Sequence, residues 1–190
     1  FKKKKELLGR IINSLMKIAC EDPSEYPKDT ATPNTFALLC MKAFSIYMHK
    51  PIIFPILIKN IHACIESSVP IERKAGIELL GYICESDACL DPIKDHIDEI
   101  TEVIVKCLYD ESIEVKAATA ETVGMFSENV SDFLDKIDTV IPAIVDTLKY
   151  LQDTDIPLQK GLHALHSFVH GANYSKITKI MGELIPVLLQ

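Results

Sequence analysis

The chain has 190 residues, of which 48% are hydrophobic and 7% aromatic, with seven glycines, no tryptophan and a formal net charge of −7. This balance is typical of stacked helices whose apolar faces are filled by aliphatic side chains. The longest apolar run, residues 51–58, is far shorter than the roughly 20 residues of a membrane span, and no signal peptide pattern follows the N-terminal lysines, so we expect a soluble, intracellular protein.

Residues 1–20 predict an amphipathic helix with a stripe of Leu, Ile and Met. We interpret it as the second helix of a repeat whose first half is missing, and the chain as a piece of a longer protein. The lysines at its start predict a solvated helix end and not a nucleic-acid or targeting patch. Residues 21–32 are polar and contain two prolines, which predicts a loop, and Thr32 followed by Pro33 predicts the next helix start.

Four helix pairs are predicted after this loop, within repeats at 33–67, 70–110, 112–151 and 155–190. The first (A) helices are expected at about 33–48, 70–85, 112–129 and 156–170, and the second (B) helices at about 51–67, 94–110, 133–151 and 175–190. Asp91 and Pro92 predict the turn inside the second pair. Because the connections are short, neighbouring helices are expected to be antiparallel. Three B helices are expected to start or bend at a proline, namely Pro55, Pro142 and Pro186.

One pattern occurs twice, at residues 73–83 and, 43 residues later, at 116–126. Both copies contain a cation, small residues, a Glu, a branched apolar residue, a Gly and a bulky apolar pair. A period near 40 indicates stacked helix pairs. The fold class predicted is therefore all-α, an α-solenoid of repeated antiparallel A/B helix pairs.

Few residues suggest catalysis or metal binding. The six cysteines lie mostly at apolar helix positions, which predicts reduced thiols that pack as small hydrophobes. Three histidines, His163, His166 and His170, share one helix face without a complementary ligand, so we expect a polar or packing face there and no metal, with a metal site as the alternative. No catalytic motif appears, and the chain is not expected to be an enzyme or to need a cofactor.

The net charge is concentrated in two segments. Residues 91–110 carry six acidic residues against two lysines, and residues 132–153 carry five against two. Because Ile, Val and Leu occupy the buried stripes of both predicted B helices, the acids must lie on the other faces. We expect one acidic strip that faces cargo or a regulatory partner, with an ordinary solvated surface as the alternative. The strip consists of Asp95, Asp98, Glu99, Glu102, Asp135, Asp138 and Asp146.

The turn Asp110, the Val115-Lys116 step, the small residues, the Gly and the early B-helix Pro resemble HEAT repeats. The run ERKAGIELLG, VKAATAETVGMFSENV and VIPAIV resembles the importin-beta (karyopherin-beta) family, and residues 125–129 are similar to the importin-four subfamily. The resemblance covers nearly all of the chain. The loop at 21–32 departs from that subfamily, because it is short and only mildly acidic.

The resemblance implies a non-enzymatic nuclear import receptor. Such a carrier binds basic cargo, such as histones or ribosomal proteins, on its inner face and releases it to Ran-GTP. It binds nucleoporin Phe-Gly repeats on the outer A-helix side and shuttles between cytoplasm and nucleus. We expect a monomer without direct contact to nucleic acid or membrane. The alternative is a HEAT scaffold unrelated to Ran, for example in a phosphatase or on chromosomes.

Overall fold

The computed structural model describes residues 2–23, 32–151, 155–172 and 177–178, and the regular elements within these ranges are helices. The chain divides into two compact units, Phe1–Asp91 and Pro92–Gln190. In the part of the chain that is described, no helix combines the length and apolar character that crossing a membrane requires.

The N-terminal unit is built from four long helices, α1 (Lys2–Ala19), α2 (Pro33–Tyr47), α3 (Lys50–Ile65) and α4 (Pro70–Cys84). Helix α1 packs on α2 and α3, and α4 packs on the same two helices. The core between them is aliphatic, and Ile12, Met41, Ile53, Leu57 and Ile77 have no exposed surface. Each apolar stripe is therefore buried against neighbouring repeats.

Helix α2 begins as the sequence predicts. The hydroxyl oxygen of Thr32 accepts a hydrogen bond from the backbone N–H of Thr35 at 3.5 Å, and Pro33 is the first helical residue. The hydroxyl satisfies one of the amide donors that a helix start leaves without a partner, and the proline has no amide to satisfy. The predicted helix start at Pro33 is confirmed.

Helix α5 (Asp87–Asp95) spans the division between the units. The C-terminal unit continues with α6 (Ile97–Leu108) and α7 (Ile113–Asn129), then a short 3-10 helix (Ser131–Lys136), and ends with α8 (Ile137–Leu151) and α9 (Asp155–Gly171). Helix α7 packs against α6, α8 and α9, and α6 packs against α8. The predicted B helix at 175–190 lies outside the described residues, apart from the helical pair 177–178.

Aromatic rings form the centre of the C-terminal unit. Phe133 of the 3-10 helix stands between Phe126 of α7 and Phe168 of α9, with ring centroids 5.3 and 5.5 Å away in edge-to-face geometry. All three side chains are fully buried. Rings at these separations attract one another beyond their buried area, so this trio joins three elements of the unit.

The turn predicted at Asp91 and Pro92 is wrong, and the B helix predicted at about 94–110 begins only at Ile97. Asp91 and Pro92 lie inside α5 and not in a turn, and the chain breaks at His96, where φ is −119° and ψ is 25°. Proline removes only its own amide donor, so α5 can contain Pro92 in its second turn. The predicted helix at 133–151 likewise divides, because its first residues belong to the 3-10 helix.

Two of the prolines at which B helices are predicted to start or bend lie inside helices and do not start them. Pro55 is the sixth residue of α3 and Pro142 the sixth of α8. Both prolines are exposed, so the carbonyl one turn earlier, which loses its usual donor, lies on the helix side that water can reach. Pro186 lies outside the described residues.

Two side chains define the turn before α7. The carboxylate of Asp110 accepts a hydrogen bond from the N–H of Ser112 at 2.9 Å. The hydroxyl of Ser112 is the cap, because it accepts from the N–H of Val115 at 3.4 Å. Asp110 therefore holds the turn and Ser112 begins the helix.

The repeat period also appears in hydrogen bonds between helices. In the N-terminal unit, the buried hydroxyl of Ser86 donates to the carbonyl of Ser45, 41 residues earlier, at 2.8 Å. In the C-terminal unit, the buried hydroxyl of Thr147 lies 2.9 Å from the carbonyl of Leu108, 39 residues earlier. Buried hydroxyls need such partners. Because donor and acceptor are about one period apart, each hydrogen bond joins similar positions of successive repeats. The division into four repeats with their exact limits stays a prediction.

Candidate protein-binding surface

The predicted acidic strip begins on α5 and α6. Ile100, Ile104 and Leu108 of α6 are buried, which leaves the other faces of this helix to its acids. Asp98, Glu99 and Glu102 of α6 are exposed, as is Asp95 at the end of α5. These acids therefore lie at the surface, as the sequence indicates.

The rest of the strip lies on the 3-10 helix and α8. The buried stripe of α8 runs from Ile137 through Ile141 to Leu148. Asp135 of the 3-10 helix and Asp138 at the start of α8 are exposed, and Asp146 in the last turns of α8 is half-buried. Since the stripe is buried, the acids of α8 lie on its remaining faces.

Three polar contacts join the two halves of the strip. The ammonium of Lys136 pairs with the carboxylate of Asp98, and the hydroxyl of Tyr109, just after α6, donates to Asp146 at 3.2 Å. Thr147 adds its buried hydroxyl contact to the carbonyl of Leu108. The structure thus brings Asp98 close to the 3-10 helix and Asp146 close to the end of α6, on one surface of the C-terminal unit.

Lysines moderate the charge at both ends of this surface. The ammonium of Lys149 lies 2.8 Å from the carboxylate of Asp146, and this hydrogen bond is the main reason why the pKa of Asp146 lies below its ordinary value. The same bond raises the pKa of Lys149. Burial, followed by the bond to Asp146, raises the pKa of Tyr109, which favours the neutral phenol as donor.

A histidine also lies beside the strip. The Nδ1 atom of His96 is 2.6 Å from a carboxylate oxygen of Glu99, and both side chains are largely exposed. The lysine counterions described above reduce the field of individual carboxylates without removing the excess of acids over bases. The arrangement suits attraction of a basic chain better than capture of a small ion.

The three histidines of α9 form a column and not a metal centre. The rings of His166 and His170 stack with centroids 5.8 Å apart, and His163 lies 6.5 Å from His166. Beside them, the carboxylate of Glu128 accepts a hydrogen bond from the hydroxyl of Ser167 at 2.9 Å. Within the described ranges, no group of three or more His, Cys, Asp or Glu side chains could hold a metal ion.

Sequence reasoning missed an apolar face on α2. Its four large members, Phe36, Leu39, Ile46 and Tyr47, are 57, 42, 45 and 84% exposed, whereas Ala37, Leu38, Met41 and Ser45 are buried. The sequence of α2 contained a signal for this face, because it has apolar residues on nearly all sides of the helix. A helix in a stack buries only part of its circumference, so some of these residues must be exposed. We call Phe36, Leu39, Ile46 and Tyr47 the apolar face of α2.

The six cysteines, all within the described ranges, form no disulfide, and their surroundings differ. Cys84, Cys89 and Cys107 are buried, in agreement with the predicted packing role, and burial raises the pKa of Cys89. Cys40 is exposed on α2, and Cys20 and Cys64 are half-buried with their sulfur atoms 4.0 Å apart. Cys40 is thus outside the packing role that the sequence predicts for most of the cysteines.

Comparison with known proteins gives one direct sequence similarity. The chain is 27% identical over 120 residues to importin-4 from Homo sapiens, an alignment that covers 62% of this chain and 11% of importin-4. The chain thus spans about a tenth of the length of that relative. No protein-family model matches the chain.

Solved structures show the fold. A mutant of Kap121p in which three acidic residues are replaced by lysine matches with a TM-score of 0.79 and 18% identity over 95% of this chain and 19% of Kap121p. Kap95p, solved with RanGDP, matches with a TM-score of 0.78 and 18% identity over 94% of this chain and 21% of Kap95p. The predicted fold class, an all-α solenoid of HEAT repeats, is confirmed.

Further matches extend the same group. Importin beta matches with a TM-score of 0.68 and 17% identity over 84% of this chain and 18% of importin beta. Kap121p has also been solved bound to Nup53p and bound to Pho4p, and Kap95 has been solved with Nup1. Together with the importin-4 similarity, these matches confirm the resemblance to importins and karyopherins, none of which is an enzyme; the importin-four subfamily is supported more weakly.

Proposed function

We propose that this chain, which resembles the importin-beta family in sequence and fold, forms part of a nuclear transport receptor. In this proposal the acidic strip binds basic protein cargo, such as histones or ribosomal proteins. Ran-GTP then releases the cargo, and nucleoporin Phe-Gly repeats bind elsewhere on the chain. The receptor would shuttle between cytoplasm and nucleus through the nuclear pore.

The observation that carries the proposal is the acidic strip on neighbouring helices. Acids of α6 and α8 lie on one surface, joined by the Lys136–Asp98 pair and the Tyr109–Asp146 bond. Such a surface raises the association rate of Lys- and Arg-rich segments and gives binding that weakens with salt. The lysines and arginines of a long basic segment can replace Lys136 and Lys149 as partners of the acids. They can do so at several acids at once, which a single ion cannot.

Release by Ran-GTP follows from mutual exclusion. If Ran-GTP and cargo require overlapping surfaces or different curvatures, each lowers the affinity of the other by the same factor. The similarity to Kap95p, which binds RanGDP in its solved complex, supports Ran as the partner to test. In this proposal cargo and Ran-GTP compete for acids of the same strip.

The apolar face of α2 is our candidate for the Phe-Gly contact. Phe36 and Tyr47 are exposed on α2, which we take as a first (A) helix, and a Phe side chain of the partner can insert between such exposed apolar groups. The structures of Kap121p with Nup53p and of Kap95 with Nup1 support a nucleoporin as the occupant of such a face. The N-terminal unit would then bind nucleoporins, and the C-terminal unit would bind cargo.

A pull-down with the full-length protein tests the cargo site. The bait is a basic histone-tail peptide, with and without GTP-locked Ran, at low and moderate salt. We expect capture that Ran-GTP reverses and that salt weakens. The triple variant D98K/E102K/D138K should lose most of the capture, because three attractive contacts become repulsive.

The matched control makes the same change in net charge outside the strip. The variant E6K/E21K/E66K, in exposed positions of the N-terminal unit, should retain capture. Equal loss in both triple variants would mean that only total charge matters and would remove the strip from the proposal. A protein that does not bind Ran-GTP at all would instead favour a HEAT scaffold unrelated to Ran.

A second experiment tests the apolar face of α2. The variant F36S/Y47S should weaken binding of a Phe-Gly peptide by at least roughly tenfold, since it removes two aromatic rings that the bound peptide would cover. The control L7S/I11S removes two exposed apolar residues of α1 and should bind normally. Unchanged binding by F36S/Y47S would place the nucleoporin contact elsewhere.

A further inference from the structure

Two thiols meet at the ends of neighbouring helices in the N-terminal unit. Cys20 directly follows α1 and Cys64 lies in the last turn of α3, and their sulfur atoms are 4.0 Å apart. The two residues are 44 positions apart, close to the repeat period of the chain. Because α1 packs on α3, one period places equivalent positions of successive B helices side by side.

The surroundings hold this end of α3 in place. A Cβ atom added to Gly76 of α4 would lie 2.9 Å from the Cβ of Cys64 and 3.1 Å from the carbonyl oxygen of Ile61. Only glycine permits α4 to approach so closely, so the backbone around Cys64 is fixed by packing. Cys20 and Cys64 are nevertheless half-buried and not sealed in the core, which leaves both sulfurs within reach of a small reagent.

The two thiols differ in acidity. The contact between the two sulfur atoms, in which either thiol can donate, lowers the pKa of Cys64. The same contact, followed by burial, raises the pKa of Cys20. Cys64 lies in the packed last turn of α3, whereas Cys20 lies just past the end of α1. We therefore take Cys64 as the residue that attacks first, which agrees with the direction of its pKa, and Cys20 as the second, resolving residue.

We propose that Cys20 and Cys64 form a redox modification site that takes small disulfides of the glutathione class. The Cys64 thiolate attacks one sulfur of the oxidised reagent, forms a mixed disulfide and releases one thiolate. Cys20 then loses its proton to water and attacks the Cys64 sulfur, which expels the second thiolate. In sum, two protein thiols are oxidised to one disulfide and one small disulfide is reduced to two thiols.

The product requires the two sulfur atoms to approach from 4.0 Å to about 2.05 Å. The bond would fix the end of α1 to the end of α3, so the two helices could no longer separate there. In a reducing compartment such a bond is transient and responds to the thiol–disulfide balance. This inference is independent of the transport function.

The test is oxidation of the whole, natively folded chain with oxidised glutathione. The remaining thiols are alkylated under acid, and the chain is digested with trypsin. Mass spectrometry should find a reducible link between the peptides 18–28 and 60–73, which contain Cys20 and Cys64. This link should exceed every other cysteine pair. A native chain in which Cys64 stays unmodified, or retains glutathione while Cys20 stays free, would overturn the proposal.

Variants sharpen the assignment of roles. With C20S the glutathione adduct on Cys64 should persist, because no second thiol resolves it, whereas with C64S Cys20 should remain unmodified. The control C40S removes the exposed thiol of α2 and should leave the link unchanged. Circular dichroism checks that each variant is folded. If a variant does not fold, the result for the chain without substitutions still decides the proposal.

Discussion

The two units use one repeat architecture with different side chains inside and outside. The N-terminal unit has an aliphatic core around Met41, Ile53 and Leu57 and exposes the apolar face of α2. The C-terminal unit has an aromatic centre around Phe133 and exposes the acidic strip. Yet both units join successive repeats through a buried hydroxyl, Ser86 in one and Thr147 in the other.

The difference between the two units shows which features the repeat architecture requires and which can vary. Stacked helices require a filled interior and satisfied hydroxyls, and either aliphatic or aromatic residues meet the first need. The exposed faces are not constrained in this way, so one unit can carry apolar and the other acidic groups. The two surfaces are therefore the places where partners can differ between repeats.

The largest effect should come from breaking the aromatic centre. Replacing Phe133 with Ala removes the ring between Phe126 and Phe168 and should lower the free energy of unfolding by about 3–5 kcal/mol. Urea denaturation followed by circular dichroism measures the change. F36A, which truncates an exposed ring of the N-terminal unit, is the control and should change stability much less. Equal effects would mean that the trio is not a centre of packing.

A smaller effect should come from the N-terminal unit, where close packing depends on a glycine. Gly76→Ala places a methyl group 2.9 Å from the Cβ of Cys64 and 3.1 Å from a backbone oxygen, and should destabilise by roughly 1–3 kcal/mol. Gly9→Ala in α1 meets nothing within 4 Å and should stabilise by roughly 0.5–1 kcal/mol through helix propensity. Thermal unfolding of both variants gives the comparison, and the same sign of change for both would contradict it.

Much of the helical arrangement was predictable because apolar periodicity is a local property. The period of 43 between residues 73–83 and 116–126 indicated stacked pairs, and the helix starts at Pro33 and Pro70 lie where prolines mark them. Breaks inside the B helices were not predictable in the same way. Pro92 resembles a turn residue in sequence, but it lies in the second turn of α5, and the chain breaks at His96 instead.

The exposed acids of the strip were predictable for the same reason, since a helix that buries Ile and Leu must expose its acids. The counterions and the contacts between elements were not. That Lys136 pairs with Asp98, 38 residues away, depends on how the 3-10 helix meets α6. The exposure of the apolar face of α2 depends equally on which sides of α2 its neighbours cover, and hydrophobicity alone suggested burial.

The smallest expected effect concerns the acid at the end of the strip. In Lys149→Met, the pKa of Asp146 should rise toward its ordinary value, because the hydrogen bond from Lys149 is the main cause of its depression. Tyr109→Phe should raise it less, since the phenol is the weaker donor to this carboxylate. A carboxyl carbon NMR titration measures both, with Lys160→Met, whose lysine pairs with Glu121, as the control.

The sign of this depression determines its dependence on pH. A carboxyl whose folded-state pKa is lowered stabilises the folded state above its ordinary pKa, and the contribution disappears as the pH falls through the folded-state value. Asp146 should therefore remain ionised, and available to a basic partner, in mildly acidic solution. A pKa of Asp146 that does not respond to Lys149→Met would mean that the pair does not persist in solution. The negative charge of the acidic strip would then be less compensated than the pairing with Lys149 implies.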